Sequence, residues 1–239
     1  MILETPQTIL GTNNFGQKSV LISMLELSLQ HLRQDYKQRS FDESDAHANP
    51  FTQFAQWFDE ALRSELPEPN AMSLATVSAD GQPSARIVLL KGVDPSGFVF
   101  YTNYDSHKAK EAEAQGKVAL CFVWLELERQ VRIEGTVERV SHAESVAYFQ
   151  SRPKSSQIGA WASPQSEVLP SRQWLEERQK ELEAQYAHVD VLPMPEHWGG
   201  YRVLPKSIEF WQGRRSRLHD RIRYTLQADH SWKIERLAP

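Results

Sequence analysis

A chain of 239 residues is long enough to bury a sizeable core, as one large domain or two small ones. With 40% hydrophobic and 24% charged residues it reads as soluble and globular, and a net charge of −4 argues against a general nucleic-acid binder. Cys121 is the only cysteine, which excludes an intrachain disulfide and points to a reducing, cytoplasmic setting. No CxxC or HExxH pattern suggests a metal, and no apolar run approaches the ~18 residues of a membrane span. The short uncharged run at 20–25 has only Lys18 before it and ends at Glu26, so no signal peptide is expected.

Residues 1–18 are polar and expected to be disordered. The spacing of Leu21, Leu25, Leu29 and Leu32 predicts a helix that carries Arg33 and Tyr36 at its end. Residues 39–49 are charged and polar and read as a mobile linker. A second helix is predicted over 50–66, with Phe51, Phe54, Trp57, Phe58, Ala61 and Leu62 on one stripe. The pattern then changes to strands. Those at 71–79 and 83–91 flank an Asp80-Gly81 hairpin turn; 92–97 is a Pro/Gly turn and 98–102 a third strand. Asp105 and Ser106 cap a short helix over 107–114 that Gly116 stops. Strands follow at 117–125 and 130–140. Ser141-His-Ala-Glu144 is a capping box, opening a helix that Pro153 ends. Residues 155–170, rich in Ser, Gly and Pro, read as a loop. A charged helix is predicted over 171–188, with Leu175, Leu182 and Tyr186 inward, and a second loop over 189–200. Strands at 201–204, 207–212, 217–227 and 232–236 complete the chain, which has no internal repeat. Antiparallel hairpins with peripheral helices imply an α+β protein built around a barrel. The lack of βαβ alternation and of GxGxxG disfavours a Rossmann-type site.

Several groups could carry chemistry. Arg86-Ile-Val-Leu-Leu-Lys91 is a strand with a basic residue at each end, and Lys91 faces away from Arg86. At Tyr101-Thr102 a strand ends, and at Ser106-His107-Lys108 a helix begins. That junction is either a plain N-capped helix or, through unpaired N–H groups, the helix dipole and the Lys108 charge, an anion site. Tyr148 and Arg152 share a helix face, with Ser156 just beyond the Pro153 turn. They are either a helix end with surface polar groups or a phenol, guanidinium and hydroxyl that grip a phosphate. The run 208–221 crowds Ile208, Phe210 and Trp211 against Arg214, Arg215, Arg217, His219 and Arg221. Alternation of Arg217, His219 and Arg221 predicts one strand face, which is either a solvated edge with salt bridges or a row with an anion opposite. From Arg202 to Arg223 there are seven Lys/Arg and two acids, a local basic patch.

Glu-Phe-Trp-Gln, four further residues, then Arg-Leu-His-Asp-Arg221 resembles the C-terminal motif of the pyridoxamine/pyridoxine 5′-phosphate oxidases. Ser-Arg-Pro-Lys-Ser-Ser-Gln-Ile-Gly-Ala-Trp161 and the closing Trp-Lys-Ile-Glu-Arg-Leu-Ala-Pro agree with that family, and the resemblance runs from about Arg33 to Pro239. It implies an FMN-binding split β-barrel over 50–239, a homodimer with FMN at the interface, and a segment within 1–49 that carries Arg33 and Tyr36 as a lid on the substrate. It implies FMN contacts at Arg86, Ile87, Val88, Leu89, Leu90, Lys91, Tyr101, Thr102, His107, Lys108, Gln130, Gln165, Ser166, Trp211 and Arg221. It places the substrate's 5′-phosphate on Lys91, Tyr148, Arg152 and Ser156, and its ring beside Arg217 and His219, the catalytic pair. The implied reaction oxidises pyridoxamine or pyridoxine 5′-phosphate to the aldehyde by hydride transfer to FMN, with O2 then reduced to hydrogen peroxide. One departure concerns the flavin phosphate: the family usually has Arg where this chain has His107, and histidine as a type is shorter and mostly neutral at pH 7. Two other readings stay open: a split-barrel flavin reductase, and a non-catalytic β-barrel that binds RNA through 214–223.

Overall fold

The computed structural model describes Tyr36 and residues 39–239; the helix expected from Leu21, together with Arg33, lies outside the described residues. The strands are β1 (Ala71–Val77), β2 (Pro83–Leu89), β3 (Gly92–Asp94), β4 (Gly97–Asn103), β5 (Lys117–Trp124), β6 (Arg129–Arg139), β7 (Trp198–Gln212), β8 (Asp220–Leu226) and β9 (Trp232–Arg236). The helices are α1 (Pro50–Arg63), α2 (His107–Gln115), α3 (His142–Ser151), α4 (Lys154–Ala162) and α5 (Arg172–Gln185). All strand pairs are antiparallel, in the order β2-β1-β5-β6-β7-β4-β3, with β8 on β7 and β9 on β8.

The 15-residue strand β7 organises the sheet. Along one edge it pairs with β6 from Tyr201 to Gln212. Along the other its first half pairs with β4, from Trp198 opposite Asn103 to Val203 opposite Phe98. Its second half pairs with β8, from Ser207 opposite Thr225 to Gln212 opposite Asp220. One strand that serves two neighbours on the same edge splits the sheet into two leaves: an antiparallel split barrel, as expected.

Alternation sets the two faces. Met72, Leu74 and Thr76 of β1, Leu120 and Phe122 of β5, and Ile208 and Phe210 of β7 turn inward and are buried. Helix α1 plugs this core. Asn49 caps it by accepting from the Phe51 N–H, and Pro50 stands where no N–H is needed. Phe54 packs edge-on to Phe98, and Trp57 edge-on to Phe210. Leu62, placed on the buried stripe by spacing, is instead 53% exposed. A second cluster of Phe149, Ile158, Ala162, Leu182, Leu192 and Trp198 ties α3, α4 and α5 to the start of β7.

Four expectations need correction. Residues 39–49 are no mobile linker. Phe41 is buried against Trp57 and Phe210, and Arg236 pairs with Asp42 and Glu43. The span 155–170 is not all loop, because Pro153 precedes a helix as well as ending one. Residues 201–212 form one strand, not two. Pro205 is accommodated at a bulge, where Gly135 faces Pro205, Glu134 faces Ser207, and Lys206 is the extra residue. Finally, Arg217 and His219 are not on a strand. Ser216 (φ 58°) and Arg217 (φ 61°) are left-handed, so a 3-10 turn replaces the alternation and only Arg221 lies in β8.

Candidate active-site cleft

The ends of β2 and β4, the first turn of α2, and the α3–α4 junction enclose a cleft of about 630 Å³. Its lining joins residues expected at the flavin (Ile87, Val88, Leu89, Lys91, Tyr101, Thr102, Lys108, Gln165) with those expected at the substrate phosphate (Lys91, Tyr148, Arg152, Ser156). Leu90 points the other way and is buried in the core.

One end of the cleft is built on α2. Ser106 stands at its N-cap, but its hydroxyl donates to the Asn103 carbonyl instead of capping the helix. The His107 N–H donates to Ser166 Oγ, which brings the 165–166 loop over the helix start. Lys108 Nζ donates to Gln165 Oε1 (2.6 Å), Thr102 Oγ1 (3.1 Å) and Ser106 Oγ (3.3 Å), all neutral oxygens. Burial, with the Arg86 charge nearby, pulls the Lys108 ammonium down to about 8. Arg86 does not line the cleft. It donates to Leu74 O, Thr76 Oγ1 and Ser84 Oγ, and lies 3.4 Å from the buried Glu111 carboxylate. Glu111 also meets His107 Nε2 at 3.5 Å, on a histidine side chain that is 66% exposed. Lys108, held only by neutral oxygens, leaves this end short of an anion, and a phosphate fits that deficit.

The other end has an aromatic floor. Tyr101 and Tyr148 stack with centroids 3.9 Å apart, and Trp198 lies parallel to both at 5.5 and 6.2 Å. Gly200 makes room for this: a Cβ there would sit 2.7 Å from Tyr101 Cε1 and from Val140 Cγ2. The Arg152 guanidinium lies 4.7 Å above the Trp198 ring. Its Nη1 is buried with no hydrogen-bond partner, and burial lowers its pKa. The Gln157 amide donates to the Arg152 and Gln150 carbonyls and holds the α3–α4 junction.

The remaining predicted residues form a separate row across β6, β7 and β8, where Gln130, Trp211 and Arg221 are direct cross-strand partners. Arg221 grips Glu209 through two bonds of 2.9 and 3.0 Å. The His219 ring lies 4.6 Å from that of Trp211. Its Nδ1 accepts from the Arg214 N–H, so the neutral ring carries its proton on Nε2. Burial and the Arg217 charge lower its pKa, against a smaller opposing effect of Asp220. Arg217 is exposed, and none of these five residues lines the cleft. Tyr36 is described and Arg33 is not. Sequence reasoning missed Trp198, Pro153, Gly159, Ala160, Ser163 and Asn103, all in the cleft wall. Only Trp198 carried a signal, as an aromatic set before two glycines.

A split barrel with a cleft cationic at both ends and aromatic along its floor defines a class of anion-binding split-barrel proteins. The comparisons narrow that class. Residues 58–186 match the family model described as pyridoxamine 5′-phosphate oxidase, and residues 198–239 match the pyridoxine 5′-phosphate oxidase C-terminal dimerisation region. The chain is 58% identical over 214 residues to the pyridoxine/pyridoxamine 5′-phosphate oxidase of Burkholderia multivorans, covering 89% of this chain and 99% of that one. It is 57% identical over 211 residues to the enzyme of the same name from Cupriavidus pinatubonensis, covering 88% and 99%. Among solved structures it is similar to PhzG from Burkholderia lata, crystallised with tetrahydrophenazine-1-carboxylic acid, at a TM-score of 0.80 and 29% identity over 86% of this chain and all (100%) of that one. A pyridoxamine 5′-phosphate oxidase-related, FMN binding protein from Nostoc punctiforme shares the fold, with TM-score 0.64 and 18% identity over 80% of this chain and 97% of that one. The chain belongs to the pyridoxamine 5′-phosphate oxidase family and is an oxidoreductase. No helix among the described residues is long and apolar enough to cross a membrane.

Proposed function

We propose that this enzyme uses FMN to oxidise pyridoxamine 5′-phosphate and pyridoxine 5′-phosphate to pyridoxal 5′-phosphate. From the alcohol, O2 becomes hydrogen peroxide; from the amine, one water is also consumed and ammonia released. The observation that carries this reading is the buried, unpartnered Nη1 of Arg152 in a cleft that Lys91, Tyr148 and Ser156 also line. A buried guanidinium donor left unpaired is costly, and a phosphate ester satisfies it with paired, charge-assisted bonds.

The Lys108 end fits the phosphate of FMN, with Thr102, Gln165, Ser166 and the start of α2 as neutral donors around the charge. When bound, FMN supplies the two-electron acceptor. The protein's own part is to grip both phosphates and so bring the two ring systems together. Gln130, Trp211 and Arg221 meet the flavin, and His219 holds a polar ring substituent through Nε2–H while Arg217 covers the substrate ring. Because these residues do not line the cleft of their own chain, the partner subunit of a homodimer supplies them. The matched C-terminal dimerisation region, which contains β7, β8 and β9, supports that arrangement. The test is direct: record the flavin spectrum of the purified protein and follow peroxide formation with pyridoxamine phosphate and with unphosphorylated pyridoxamine. The phosphorylated amine should be preferred by roughly 100-fold or more in kcat/KM, as two lost charge-assisted contacts require. A colourless protein, or equal use of the two amines, would refute the reading.

A further inference from the structure

Arg152 is held in an unusual way for a half-buried arginine. Among the described residues no carboxylate pairs with it; its neighbours are the Trp198 ring at 4.7 Å and the Phe149 ring at 5.7 Å. Phe149 in turn meets Trp198 edge-on at 5.2 Å. Trp198 is 6% exposed and opens β7 opposite Asn103, with Gly199 and Gly200 behind it. The indole is therefore anchored by a strand ladder on one side and by the Tyr101–Tyr148 stack on the other.

We propose that Trp198 is a positioning residue for the substrate's phosphate, acting through Arg152. An acidic partner would orient the guanidinium as well, but it would occupy the donors and cancel the charge that an incoming phosphate needs. An aromatic face orients the same group by attraction to the ring quadrupole and leaves its edge N–H donors uncommitted. The unpartnered Nη1 is the trace of that choice. The face also limits the rotamers that Arg152 would otherwise sample, so less ordering remains when the phosphate arrives. This inference rests on the reading of the cleft as a phosphate-ester site.

The experiment uses the flavin-loaded enzyme. The parent must first oxidise pyridoxamine phosphate; if it does not, the functional reading fails and this inference falls with it. In an active enzyme, Trp198→Leu raises KM for pyridoxamine phosphate about tenfold, within the range of a desolvated cation–π contact. It leaves kcat within about twofold, flavin content unchanged, and kcat/KM for unphosphorylated pyridoxamine unchanged, a split that general damage to the fold would not produce. Trp198→Phe keeps a ring face and restores KM to within about threefold of the parent. In an Arg152→Ala background, Trp198→Leu adds little further to KM. Should Trp198→Leu not fold, site-specific incorporation of successively fluorinated tryptophans at 198 preserves shape while weakening the ring face, and KM climbs along the series. A flat fluorination series, an unchanged KM in Trp198→Leu, or the same increase with Arg152 already removed would each overturn the proposal.

Discussion

At the scale of single residues, the cleft is a set of charges waiting for counter-charges, and two of them give measurable consequences. Arg152→Ala removes paired charge-assisted bonds, so KM for the phosphorylated substrate should rise about 10- to 100-fold with flavin still bound. Steady-state kinetics with retained flavin absorbance check this, and an unchanged KM would remove Arg152 from the phosphate site. Lys108 gives a pH signature. In the flavin-free protein its pKa is depressed to about 8, chiefly by burial. A phosphate binds the protonated amine, so above that value binding must draw in a proton. FMN affinity should then fall about tenfold between pH 7 and 9, and Lys108→Met should bind weakly with a flat pH profile. Flavin fluorescence quenching at a series of pH values measures both; equal affinity at pH 7 and 9 in the parent would contradict the assignment. On stability the sign reverses. The unfolded chain binds more protons than the flavin-free fold between about pH 8 and the ordinary lysine range, so this group makes that fold more stable as pH rises there. Most of these residues were legible as letters in a family motif, because strand ends and helix starts fix where they point. Trp198 was not. It sits in a Pro/Gly stretch with no period to read, and its role depends on what Tyr101 and Arg152 do more than 40 positions away in the chain.

At the scale of elements, the hairpins were readable because alternation and turn residues are local, while the departures are non-local. Pro205 reads as a break, yet β7 passes through it because β6 offers Gly135 at the matching point. A Cβ at 135 would lie 2.1 Å from Leu204 O and 3.0 Å from Pro205 Cα, backbone atoms that cannot turn aside. Gly135→Ala should therefore open the bulge that lets one strand serve both leaves. The expected cost is about 3 kcal/mol, a fall in Tm of about 6–12 °C for a chain of this length. Calorimetry or circular dichroism would show it, and a shift of less than roughly 2 °C would mean that the ladder yields more easily than its geometry suggests. The same non-locality hid α4. Its inward residues Ile158 and Ala162 find their partners on α5 and around Trp198, so the Ser, Gly and Pro scattered over 155–170 outweigh them in a local reading. The strand face expected from Arg217, His219 and Arg221 failed for the opposite reason, because a perfect local alternation is broken by two left-handed residues, Ser216 and Arg217.

At the scale of the whole molecule, most of the predicted site residues fall into two groups within one chain. One lines the cleft; the other runs across β6, β7 and β8 and through the following turn. The second group lies on the side of the sheet that does not carry Phe210, since Trp211 and Glu209 alternate with that buried ring. Much of its positive charge is already matched: Arg221 by Glu209, Arg223 by Glu235, and Arg214 by Asp220. Such a row is built to hold shape at a boundary rather than to gather free phosphate. If each site draws Arg152 from one subunit and Arg217 from the other, lesions at the two positions should complement. Co-expression of an Arg152→Ala chain and an Arg217→Ala chain under two affinity tags yields a purified heterodimer with one site free of both lesions and one bearing both. With the sites independent, that heterodimer should recover about half the parent rate per dimer, although either homodimer alone is nearly inactive at low substrate. If instead both residues of a site came from the same chain, every site in the heterodimer would carry one lesion and no activity would return.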